Sequence, residues 1–166
     1  MRASICDLPF KNNYFDIVIS LDVLCCVNVD RDMKILNELY RVMNINGTLL
    51  LNLPAYNFLQ STHDKAVHIK QRYLLNEVRK KVETAGFIVE KITYRNCFLF
   101  PLCFIIRILK KIFLMKKKEV KSDLTLLPGI LNKLLTDILY LENKLILSGI
   151  NFPFGLSIYC VARKKN

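Results

Sequence analysis

Two short apolar runs, Phe15 to Ser20 and Thr48 to Leu53, flank a segment of helical period, and this alternation limits the fold more than any other feature of the chain. The first run is β-branched and follows a Lys11-Asn12-Asn13 turn, which predicts a strand buried on both faces, as in a parallel sheet. From Asp30 to Met43 the apolar residues Met33, Leu36, Tyr40 and Met43 recur at helical spacing, while Arg31, Lys34, Asn37 and Arg41 take the other face. Asn46-Gly47 supplies residues that tolerate positive φ at the helix exit, and Pro54 stops the next strand. Strand, helix and strand in this order predict a right-handed crossover.

A second unit follows. Leu74 to Ala85 carries a helical pattern through Leu75, Val78 and Val82, Gly86 ends it, and Phe87 to Tyr94 alternates as a strand. Between the units, residues 55 to 72 have no sustained period and hold both histidines, which predicts a loop at the carboxyl edge of the sheet. Cys97 to Met115 is strongly apolar, with Arg107, Lys110 and Lys111 along it, and its uncharged part falls short of the ~20 residues that cross a bilayer. Pro128 marks the start of a last helix with an apolar stripe at Leu131, Leu134, Leu135, Ile138, Leu141 and Leu145, and Gly155 to Ala162 reads as a closing strand. There are no repeats and no low-complexity linker, so residues 1–166 read as one domain with residues 97–150 as a helical insertion.

With 166 residues, 52% hydrophobic and 23% charged, the composition is globular. A net charge of +11 favours an acidic partner, either a membrane surface or a nucleic acid. The basic runs are Lys110-Lys111, Lys116-Lys117-Lys118 and Arg163-Lys164-Lys165. The six cysteines form no CxxC pair, and with only His63 and His68 beside them no zinc spacing assembles, so no metal is expected. Free thiols in a reducing cytoplasm are the expectation, since the first residues lack the apolar core of an export signal.

Four pieces in order carry a family resemblance: Asp7-Leu8-Pro9-Phe10, Phe15-Asp16-Ile17-Val18-Ile19-Ser20, Leu39-Tyr40-Arg41-Val42-Met43 and Gly47-Thr48-Leu49-Leu50-Leu51. Together they resemble the second half of a class I S-adenosylmethionine (SAM) dependent methyltransferase. The resemblance implies an α/β fold with a mostly parallel, Rossmann-like sheet, a final antiparallel strand and an inserted basic, apolar helical cap. SAM is the implied cofactor, lying across the carboxyl ends of the strands. Carried over by position, Ser4 takes the place where members hold the adenine amino group, with a surface serine as the alternative. Ile5 supplies a neighbouring backbone N–H and an apolar wall, and Ser20 and Leu21 line the sulfonium end. His63-Asp64 is the His-carboxylate pair expected near the mouth, as a base for a hydroxyl or thiol acceptor or as a solvated loop pair; His68 is a weaker candidate.

The chain departs from the family pattern at Cys25-Cys26, where relatives often have Glu-His, and these read as buried structural thiols. Asn44-Ile45-Asn46-Gly47 replaces a more glycine-rich turn. By the same resemblance, the glycine-rich loop and the acidic ribose-binding residue are expected ahead of Met1. The chain is then a C-terminal portion that binds SAM weakly or not at all by itself, and a separate N-terminal half is an expected partner. The acceptor is expected to be small or lipid-like. The segment from Cys97 to Lys118 reads either as a cap over the substrate pocket or as a helix lying on an anionic membrane, and both can hold. Nucleic acid ranks below lipid, because the aromatics here are phenylalanines within apolar clusters. A non-catalytic protein docking on a membrane or partner is the rival reading.

Overall fold

The computed structural model describes residues 3–61, 64, 66–113 and 128–165. Four strands, β1 (Phe15–Leu21), β2 (Met43–Pro54), β3 (Phe87–Arg95) and β4 (Ser157–Lys164), form one sheet in the order β1-β2-β4-β3. β1 and β2 are parallel, and β4 runs antiparallel between β2 and β3. Helix α1 (Asp32–Val42) connects β1 to β2, and α2 (Leu75–Thr84) leads into β3. Helices α3 (Phe100–Phe113) and α4 (Gly129–Leu147) lie between β3 and β4. The α/β fold with one antiparallel strand and inserted helices is therefore the one the sequence implies.

One face of the sheet carries the core. Leu49, Leu51 and Leu53 of β2 pair in register with Ala162, Cys160 and Ile158 of β4, and all are buried beneath Ile35, Leu36 and Leu39 of α1 and Val78 and Val82 of α2. Alternation along the strands puts these residues on one side, and the helical stripes supply the other half of the layer. Gly86 leaves α2 at φ +98°, a conformation that residues with side chains rarely adopt, with the Tyr40 ring 3.1 Å from where a Cβ would lie.

Three expectations are corrected. β1 is not buried on both faces: Ile17, Ile19 and Leu21 are 61%, 60% and 61% exposed, because the helices cover only the side shared by Val18 and Ser20. β2 begins at Met43, directly from α1, since Asn44 to Gly47 continue the extended chain as an irregularity before regular pairing resumes at Ile17 opposite Thr48. Asn46 supplies the positive φ there. In α4 the stripe residues Leu131, Leu134 and Leu141 face solvent, and the buried residues are Glu142 and Ile146. Glu142 turns inward because its carboxylate accepts the backbone N–H groups of Asn96 and Phe98 at the exit of β3. The Lys116-Lys117-Lys118 run lies outside the described residues.

Candidate functional site

β1 and β2 run parallel, so their carboxyl ends share one edge of the sheet with the carboxyl end of β3. Open α/β sheets bind ligands at this edge. Each of the three strands passes there into a non-glycine residue of positive φ: Asp22 at 54°, Tyr56 at 58° and Asn96 at 61°. Asn and Asp enter this region with little strain, whereas a bulky tyrosine does so at a cost of about 1–3 kcal/mol that its surroundings must hold. Tyr56 is held by its ring, stacked on Tyr94 with centroids 5.2 Å apart.

At the end of β1, Ser20 is buried on the core side and its Oγ has no hydrogen-bond partner among the described residues. Leu21 beside it is exposed. Asp22 follows, its backbone N–H donating to the Asn52 carbonyl at 2.9 Å and its carboxylate accepting from Asn52 Nδ2 at 3.0 Å. Desolvation raises the Asp22 pKa, opposed by the Asn52 hydrogen bond and by Arg72. Sequence reasoning passed over Asp22, although the first polar residue after a parallel strand is the signal that would have found it.

The Cys25 and Cys26 thiols both donate to the Asp22 carbonyl, at 3.0 and 3.3 Å. Burial, reinforced by the neighbouring Cys26, pushes the Cys25 thiol well above its ordinary pKa, so it is a structural thiol.

Asp64 is fully buried and accepts two hydrogen bonds from Arg72, Nη2 to Oδ1 at 2.7 Å and Nε to Oδ2 at 2.8 Å, with the Ser61 N–H at 3.1 Å. Burial by itself would raise the Asp64 pKa, but the bidentate guanidinium outweighs it and holds the carboxyl below its ordinary value. Arg72 also donates to the Ala55 carbonyl at 3.0 Å, which pins the loop after β2 to the carboxyl edge. Asp64 thus serves as a loop anchor in this arrangement; His63 lies outside the described residues. His68 sits in a turn at φ 62°.

A second buried network lies alongside. The Asp32 carboxylate, at the start of α1, accepts from Gln71 Nε2, the Tyr73 hydroxyl and Lys81 Nζ, the last at 2.7 Å. It joins α1, α2 and the end of the loop, and sequence spacing gave no sign of it.

Ser4 is exposed; its Oγ accepts from the Cys6 N–H at 3.2 Å and its carbonyl from the Asp7 N–H at 3.0 Å, forming a tight turn. Ile5 is half-buried against the core. Beyond β2, Phe58, Leu59, Gln60, Phe104, Arg107 and Ile108 line a groove of about 260 Å³ between the loop and α3. Among the described residues no group of three or more His, Cys, Asp or Glu side chains is placed to hold a metal ion.

The layering and the open carboxyl edge define a Rossmann-like α/β protein. Residues 1–51 match the model of a methyltransferase domain family. The whole chain superimposes on a SAM-dependent methyltransferase from Archaeoglobus fulgidus with a TM-score of 0.57 at 16% identity, covering 99% of this chain and 66% of that one. A SAM-dependent methyltransferase from Thermotoga maritima gives a TM-score of 0.54 at 16% identity over 99% of this chain and 63% of that one. The [4+2]-cyclase SpnF gives 0.53 at 13% identity over 98% and 54%. The chain therefore spans roughly half to two thirds of the length of these three proteins. No curated protein sequence matches it. A methyltransferase domain is thus what the first third of this chain matches, and the described residues share the fold of SAM-dependent methyltransferases.

Proposed function

We propose that the carboxyl edge of β1 and β2 forms part of a SAM-dependent methyl-transfer site acting on a small or lipid-like acceptor. The observation that carries this reading is the buried hydroxyl of Ser20 at the end of β1, without a partner among the described residues, because a buried polar group left so costs about 1–3 kcal/mol and a ligand at that edge would satisfy it. When bound, SAM supplies a methyl group on a sulfonium that already has a good leaving group.

The residues of this chain contribute placement, which provides most of the acceleration in such a transfer. Ser20 and Leu21 border one end of the cofactor position, and Ile5 and Ser4 the adenine end. Asp22, whose affinity for protons is raised, can accept a proton from an acceptor hydroxyl or amine at the same edge. His63, next to Asp64 in sequence, is the second candidate base. The groove between Phe58 and Phe104 suits an apolar acceptor, with the Arg107 guanidinium at its wall favouring one that bears an acidic group.

The unpaired edge of β1 and its exposed Ile17, Ile19 and Leu21 suit further strands and covering helices, which a separate N-terminal half would bring. The same surface supports a second reading, in which the chain is a non-catalytic docking protein that presents β1 to a partner. Methyl-labelled SAM offered with acidic amphiphiles separates the two. Transfer that falls at least tenfold in Asp22→Asn, with SAM binding retained, supports the enzyme; SAM binding at the carboxyl edge without any transfer supports the docking protein.

A further inference from the structure

Helix α3 turns an apolar side away from the protein. Its inner side is accounted for: the Phe100 ring meets Tyr56 at 5.9 Å and Phe154 at 5.4 Å, Phe104 meets Phe58 at 6.0 Å, and Arg107 donates to the Leu59 carbonyl. Around the helix from these, Leu102, Ile105 and Ile106 are 53%, 55% and 42% exposed. These three fall on one side of a helix of 3.6 residues per turn, and Arg107 falls on another. A cap that only shielded a pocket would carry polar residues outside, so this pattern is inverted for a helix facing water.

Charge selects what covers it. The helix contains three basic residues and no acidic one, within a chain of net charge +11. Two copies meeting through α3 would bring like charges together, whereas an anionic lipid surface attracts them. The helix has 14 residues against the ~20 needed to cross a bilayer, and among the described residues no helix is long and apolar enough to do so. Lying in the interface, with the exposed aliphatic side chains inserted, matches its length and pattern.

We propose that the outward side of α3, through Leu102, Ile105 and Ile106, beds into the surface of an anionic lipid bilayer. The docking does not depend on methyl transfer. It rests on the proposed function only for its consequence, that the groove of Phe58, Phe104 and Arg107 on the inner side of the same helix lies where a lipid-like acceptor leaves the membrane.

Flotation of the full chain with vesicles of phosphatidylcholine, with and without about one third phosphatidylserine, tests the proposal. Retention is expected on the anionic vesicles and should weaken as salt rises from about 0.1 M to about 0.5 M. The double substitution Ile105→Ser and Ile106→Ser should lower vesicle affinity by about tenfold or more while leaving the unfolding temperature unchanged, since it removes exposed aliphatic surface. Absence of retention on anionic vesicles overturns the proposal, as does equal retention of the double variant. A dimer in light scattering that the same variant disperses, without vesicle binding, assigns the face to a second copy and also overturns it.

Discussion

The guanidinium of Arg41, in the last turn of α1, donates to the Leu8 carbonyl at 2.9 Å and so joins two of the sequence pieces that carry the family resemblance. The same side chain reaches the Phe10 carbonyl at 2.8 Å and Asn12 Oδ1 at 2.7 Å, and it pairs with Glu38 at 2.7 Å. Glu38 in turn accepts the Leu8 N–H at 2.7 Å. The turn leading into β1 is therefore held against α1 by one charge-assisted cluster, a physical reason for Leu8-Pro9-Phe10 and Tyr40-Arg41 to occur together.

This cluster gives a pH prediction. The Arg41 hydrogen bond holds Glu38 down to about 2, against an unfolded carboxyl near ~4.3. A folded pKa below the unfolded one means that the contribution is complete above the unfolded value and is lost as pH falls toward the folded one. Arg41→Lys, which cannot reproduce the fork, should raise the Glu38 pKa toward its ordinary value and lower the unfolding temperature at neutral pH. Side-chain carboxyl NMR titration reads the first effect and calorimetry the second.

Arg72 and Asp64 should behave as a buried pair that is costly to break. Asp64→Asn leaves the Arg72 guanidinium without its counter-charge and is expected to lower stability by about 3–5 kcal/mol, measured by urea unfolding. Because the Asp64 pKa is lowered on folding, the wild-type pair stabilises above ~3.9 and loses its effect as pH falls below that. The variant's loss should accordingly shrink in acid.

Ser20→Ala separates structural from ligand-binding roles. Its hydroxyl makes no bond within the described fold, so the free protein should unfold at the same or a slightly higher temperature. The stabilisation by S-adenosylhomocysteine should fall, read as a smaller ligand-induced shift in unfolding temperature. An equal shift in wild type and variant would remove Ser20 from the site.

Gly155 lies where a Cβ atom would come within 2.3 Å of the Arg95 carbonyl oxygen, a backbone atom that cannot step aside. Gly155→Ala should cost about 1–3 kcal/mol and loosen the entry to β4. Hydrogen exchange at β4 amides would report the loosening, and protection equal to wild type would refute it.

The order of strands and helices was legible because period and punctuation agree: Phe87 to Tyr94 alternates after Gly86, and Val78 and Val82 recur at helical spacing. The position of β4 between β2 and β3 was not, since pairing across the sheet leaves no local mark on Ser157 to Lys164. Burial of β1 was over-read, because Ile17 and Ile19 look alike whether a helix covers them or not. Glu142 was missed for the opposite reason: a charged residue on a helix is expected outside, and its carboxylate is inside only because two backbone N–H groups at the exit of β3 need an acceptor. Ser20 and Leu21 were legible as the end of a strand, and they close β1. Asp22 could have been found from its place after the strand. The positive φ of Tyr56 could not, because tyrosine has no preference for that conformation and only its stacking on Tyr94 explains it.

The site assignment is tested most directly by amide NMR of the full chain titrated with S-adenosylhomocysteine to millimolar concentration. Shifts centred on Ser20, Leu21 and Asp22, with smaller ones at Ser4 and Ile5, are the predicted result, even if the affinity is weak. Shifts confined to residues away from the carboxyl ends of β1 and β2, or none at saturating ligand, would contradict it.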